Sequence, residues 1–181
     1  MGQSTFQGPV RSLNGLYTQG PGTVVPLTAA TLTVDPATHG GRLIFVNVAT
    51  TTITLPAVNV TADPATSGPG SDPNTLNNQG VVYTFFIATT ATAIKIRTTS
   101  STPGDLFVGG LISGKDAVLT AGGTATFVPN GSSNDVISMA GTTTGGIAGS
   151  YITVVAVAAN KYLVQGVLIG SGTLATPFAD S

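Results

Sequence analysis

His39 is the only histidine of the chain and stands in "HGGRLIFVNVATTTITLPA" (39–57). Imidazole is the side chain whose charge changes nearest neutral pH, so a lone histidine is the first candidate for a general base or a metal ligand. Its potential partners are few: seven aspartates, no glutamate and no cysteine. The missing cysteine excludes disulfides, zinc-thiolate sites and thiol catalysis. A Ser-His-Asp set would have to use His39, and no G-x-S-x-G elbow is present. A metal site of one imidazole and several carboxylates would suit a hard cation, but the D-x-D calcium spacing is missing too. Asp35, Asp63, Asp72 and Asp105 stand in "VDPAT", "ADPAT", "SDPN" and "PGD", where aspartate caps turns by accepting backbone N–H bonds. No aspartate pair has a spacing that argues for an acid/base couple. The constellation an enzyme needs is not assembled, so the chain reads as a non-enzyme without cofactor or metal, and His39 as a turn residue.

Other short motifs dissolve in the same way. "GSGTLA" (170–175) imitates a dinucleotide fingerprint, but that motif needs a helix and a further strand after it. "NVT" (59–61) and "NGS" (130–132) match the glycosylation pattern and read as turn residues. "MGQSTF" matches a myristoylation start only loosely, and no secretory signal pattern opens the sequence. The six basic residues, Arg11, Arg42, Lys95, Arg97, Lys115 and Lys161, are scattered. A nucleic-acid surface clusters such charges to neutralise phosphates, so no nucleic-acid partner is expected. Asn160 and Lys161 interrupt the longest apolar region, which argues against a membrane span.

The elements that would have to position any site are strands. With 41% hydrophobic and 7% charged residues, the chain can build one core under an almost uncharged surface rich in threonine and glycine. Period-two alternation and turn signals mark "TVVPLTAATLTV", "RLIFVNV", "TITLP", "VVYTFFIAT", "AIKIRT", "DLFVGGLI", "TATFVP", "DVISMA", "SYITVVAVAA" and "KYLVQGVLI". Residues 42–56 read as a central hairpin, 81–98 as the next strand pair, and Asn160 as the tight turn of the last hairpin. No stretch reads as a helix, since β-branched residues, glycines and prolines break every candidate. Residues 57–80 form one long excursion. No fixed period is visible, which argues against a solenoid or fibre shaft. Residues 1–22 lack strand pattern and read as an arm ahead of one domain at 23–181. "VVYTFFI" and "YITVVAVAA" are apolar on both faces, so a second cover is expected, such as another subunit. The fold expected is all-β: an antiparallel β-sandwich or jelly-roll-like domain with an extended N-terminal arm.

"FQGPVRSLNG" (6–15), "TITLP" followed by "VVYTFFI", and "GSYITVVAVAANKYLVQGVLIGSGTLATPF" (149–178) resemble the small β-rich capsid decoration, or cement, proteins of tailed bacteriophages. The resemblance implies a structural virion protein on the outer capsid surface, made in the host bacterial cytoplasm and often trimeric. It would bridge neighbouring major capsid subunits and stabilise the shell without catalysis. Phe6, Arg11, Leu13, Leu16 and Tyr17 of the arm are then the expected capsid contacts: apolar and aromatic anchors, with one arginine able to fork a carboxylate. The alternative from the same style of sequence is a head-fibre or tail-associated host-recognition module that binds a surface glycan.

Overall fold

The computed structural model describes residues 24–60, 78–99, 104–115 and 123–181. Within them the chain first alternates between two sheets. Strands β1 (Val24–Leu27), β3 (Leu43–Val46) and β5 (Val82–Ile87) lie side by side in the larger sheet, all parallel. Strands β2 (Thr31–Thr33), β4 (Thr50–Thr54) and β6 (Ala93–Arg97) lie side by side in the smaller sheet, also parallel. Each pair of successive strands therefore makes one turn of a flattened coil, and three turns stack.

This corrects the expected antiparallel pairing for β1 to β6. Residues 42–56 are not a hairpin: β3 and β4 belong to different sheets, and so do β5 and β6. No Greek key is formed by β1 to β6. The register also shows why no period is visible. Val24 aligns with Leu43, and Thr31 with Thr52, a step of 19 or 21 residues. The next step runs from Leu43 to Thr84 and from Thr52 to Lys95, which is 22 residues longer in both sheets. The excursion at 57–80 is thus an insertion in the second turn, which lengthens the register step equally in both sheets.

The second half closes the sandwich. β7 (Leu106–Gly109) and β8 (Leu111–Lys115) run on in one direction and both pair in parallel with β12 (Lys161–Gly170). The expected single strand "DLFVGGLI" is interrupted because Gly109 has φ 97 and a Cβ there would lie 2.5 Å from the Val164 carbonyl oxygen. β9 (Thr124–Phe127) borders β8. β10 (Val136–Met139) extends the smaller sheet antiparallel to β6, and the short β13 (Phe178–Ala179) adds to it antiparallel to β10. β11 (Tyr151–Ala158) and β12 form the expected antiparallel hairpin, with Asn160 at φ 57 in its turn. The larger sheet has the order β1-β3-β5-β11-β12-β8-β9, with β7 beside β12, and the smaller one β13-β10-β6-β4-β2. The only helix among the described residues is a single turn, α1 (Pro36–His39).

Alternating side chains fill the space between the sheets. Ile44, Val46, Tyr83, Phe85, Ile87, Ile152, Val154 and Val164 come from the larger sheet, and Ile53, Ile94, Ile96, Ile137 and Met139 from the smaller. Burying such β-branched and aromatic side chains contributes about 1.5–3 kcal/mol each. One continuous core makes the described part a single all-β sandwich with mixed sheets.

Candidate interaction faces

His39 ends α1 and is buried. Asp35 is the N-cap: its carboxylate accepts from the Ala37 N–H at 3.0 Å and from the Thr38 hydroxyl at 2.7 Å. Proline at the first helical position completes the start signal. The imidazole Nδ1 lies against the Asp35 main chain, 2.9 Å from its nitrogen and 3.1 Å from its oxygen. Arg42 Nη1 donates to the Thr38 carbonyl at 2.8 Å. The ring is therefore engaged in holding its own turn, with no hydroxyl or carboxylate poised on it among the described residues. "HGG" positions the entry to β3 rather than a reactive group.

A polar cluster lies where the excursion leaves and rejoins the body. Asp105 is 6% exposed, and its Oδ2 accepts from the Val58 N–H at 2.8 Å. Burial raises its carboxyl above the usual aspartate range, and the Val58 N–H opposes that rise. Asn78 is buried beside it: its Oδ1 accepts from Asn59 N–H, its Nδ2 donates to the Ala57 carbonyl, and its N–H donates to the Asn59 carbonyl. The Tyr162 hydroxyl donates to the Pro56 carbonyl at 2.7 Å. The Tyr83 hydroxyl, also buried, has no hydrogen-bond partner among the described residues. Burial pushes both phenols upward in pKa, with Asp35 adding to Tyr83 and Tyr83 itself adding to Tyr162. The "PGD" aspartate is thus a clasp for a chain crossing rather than a turn cap. Sequence could not reveal it, because its partner is 47 residues away. Each bonded group of this cluster serves the backbone at the excursion's two ends.

The outer face of the larger sheet carries two largely apolar rows with a polar row between them, and Lys161 stands at the start of β12 on the same side. Register places Pro26, Phe45, Phe86, Tyr151, Val167, Ile112 and Thr126 in one row across seven strands. Phe45 and Phe86 stack at 5.6 Å. Tyr151 is 46% and Ile112 47% exposed. The next row, Val24, Leu43, Thr84, Thr153 and Gln165, is neutral. A third, Val82, Val155, Leu163 and Val108, is apolar again. Ile112, Tyr151, Thr153, Gln165, Gly166 and Val167 line a shallow hollow of about 320 Å³. Gly166 keeps the two strands close: a Cβ there would lie 2.3 Å from the Tyr151 carbonyl oxygen. These are the strands whose two apolar faces call for a second cover, and within one described chain that second face stays partly open. At the free edge of β1, Pro26 lacks an N–H, a feature that discourages edge pairing.

The outer face of the smaller sheet is its opposite. One row reads Thr31, Thr52, Lys95, Ser138, and the next Thr33, Thr54, Arg97, Val136, Ala179. Thr52, Lys95, Arg97, Val136, Ser138, Ala179, Asp180 and Ser181 enclose a hollow of about 300 Å³. As expected from the sequence, Lys95 is exposed while Ile94 and Ile96 are buried.

The expected arm contacts, Phe6, Arg11, Leu13, Leu16 and Tyr17, lie outside the described residues, as do 61–77 of the excursion. Tyr151 and Tyr162 sit at opposite ends of the β11–β12 pairing, one exposed and one buried. "NGS" is a turn: Asn130 Oδ1 accepts from the N–H groups of Ser132, Ser133 and Asn134. Among the described residues no three His, Cys, Asp or Glu side chains gather as a metal site, and no helix is long and apolar enough to cross a membrane. No protein-family model, curated protein or solved structure matches this chain.

Proposed function

We propose that the chain is a structural virion protein that seats on the outer surface of a capsid and bridges neighbouring major capsid subunits. The observation that carries this reading is the apolar row from Phe45 to Ile112 on the outer face of the larger sheet. Contiguous exposed apolar surface on a folded domain marks an interaction site. Aromatic residues such as Phe45, Phe86 and Tyr151 are the type that dominates interface energy. The style of both chain ends supports a decoration role, and the reading includes a homotrimer, in which several weak seats act together through effective concentration. The arm residues Phe6, Arg11, Leu13, Leu16 and Tyr17 add further anchors in this reading.

Co-sedimentation with capsids of the phage that encodes the chain tests it. Tyr151→Asp and Ile112→Asp place an unpaired charge where the contact would be desolvated, at a cost of about 3–5 kcal/mol. Binding should fall by at least about 100-fold while thermal unfolding stays near that of the parent. Deleting residues 1–17 should also weaken binding and leave the β-domain folded. Co-sedimentation of both aspartate variants at parental levels would sink the proposal.

A further inference from the structure

The hollow on the smaller sheet combines features that neither core packing nor seating requires. Lys95 and Arg97 are two positions apart on β6, so their side chains leave the same face. Neither side chain has a hydrogen bond or ion pair within the described chain, and the Arg97 Nε is buried without a partner. Register sets Lys95 between Thr52 and Ser138, whose hydroxyls are donors and acceptors. Val136 and Ala179 supply an apolar patch. At the rim stands a carboxylate, Asp180, held by the Asn134 amide at 2.8 Å.

This mixture selects among ligands. Nucleic acid is disfavoured, because no aromatic ring lines the hollow to stack a base. A phosphate monoester or a densely sulfated glycan would bring about two negative charges per unit against Asp180, where a uronic acid brings one. A sugar carrying one carboxylate satisfies every group. Its carboxylate meets Lys95 and Arg97, its hydroxyls meet Asp180, Thr52 and Ser138, and the C–H face of its ring lies on Val136 and Ala179. The volume, about 300 Å³, is at the small end of ligand pockets. We infer that the outer face of the smaller sheet binds uronic-acid units of an acidic polysaccharide. The site lies on the sheet opposite the apolar face, and the inference stands on this hollow alone, independent of capsid seating.

Calorimetric titration of the full chain with oligogalacturonate tests it, beside the methyl-esterified oligomer and dextran sulfate. Saturable binding of oligogalacturonate is expected. It should drop at least about tenfold in Arg97→Gln and in Lys95→Gln, as loss of one charge-assisted hydrogen bond implies, and similarly for the methyl ester. Asp180→Asn should weaken oligogalacturonate and strengthen dextran sulfate. Lys95 is exposed, so Lys95→Gln reports binding even if Arg97→Gln unfolds. No oligogalacturonate binding, equal binding of the ester, or dextran sulfate binding tighter to the parent chain would each overturn the inference.

Discussion

Tyr83 and Tyr162 offer one substitution with two opposite expected outcomes. Both rings are fully buried, on neighbouring stretches of the same sheet interior. The Tyr162 hydroxyl donates to the Pro56 carbonyl, and the Tyr83 hydroxyl has no partner among the described residues. Tyr162→Phe removes a hydrogen bond and strands a carbonyl that is partly shielded from water, at a cost of about 1–2 kcal/mol. Tyr83→Phe removes a hydroxyl that lost its hydration on folding and gained nothing back, so it should be neutral or stabilising by up to about 2 kcal/mol. The ring stays in each case, so no cavity larger than one oxygen opens. For a chain of this length 1 kcal/mol is worth about 2–4 °C in Tm. The variants should therefore fall on opposite sides of the parent, or one below it and one beside it, in urea melts and thermal scans. If Tyr83→Phe costs as much as Tyr162→Phe, the assignment of partners in this interior is wrong.

The clasp at Asp105 and the excursion it holds give further tests. The Asp105 carboxyl is raised by burial, so the folded state holds its proton more tightly than the unfolded chain does. Its stabilising contribution is full below the ordinary aspartate pKa of about 3.9 and is lost as pH rises through the higher folded value. Asp105→Asn should match the parent in Tm at acid pH and exceed it at neutral pH; a difference independent of pH would refute the burial argument. The ends of the excursion are tied by Asn78 to Asn59, so replacing residues 61–77 by four flexible residues should leave the fold intact. The shorter loop should add about 1 kcal/mol of stability, read from a urea midpoint. An insoluble or unfolded product would show that the excursion is part of the body.

The sequence revealed strands better than their partners. Alternation in "ATLTV" and "AIKIRT" reports which residues face a core, and those faces are the more buried ones. Asn160 could be read as the turn of the final hairpin because its tolerance for positive φ is a local property. Alternation says nothing about which strand lies next door, and a tight sequence connection is compatible with either a hairpin or a step across the sandwich. Hence "RLIFVNV" and "TITLP" look like a hairpin yet enter separate sheets. The coil was hidden for a different reason: two aligned steps differ by the inserted excursion, so no constant period survives. Asp105 illustrates the limit for polar residues. "PGD" signals a turn locally, and only the fold brings Val58 to its carboxylate.

The two outer faces differ in a way that core packing cannot explain, since either face could be threonine-rich without disturbing the interior. Thr31, Thr33, Thr52 and Thr54 give the smaller sheet a hydroxylated exterior with Lys95 and Arg97 beside it. The matching positions of the larger sheet, Phe45, Phe86, Tyr151 and Ile112, are large and apolar. Solvent exposure of such a row is a standing aggregation hazard unless something covers it. The coil construction makes the separation easy to maintain, because each turn contributes one strand to each sheet and therefore one outward set to each face. An inserted excursion between turns leaves both faces in register, which is what the equal 22-residue offset in the two sheets records. In the proposed seating, an adhesive face on the larger sheet would fix the orientation of the chain on the shell. The hollow around Arg97 lies on the sheet opposite that apolar face.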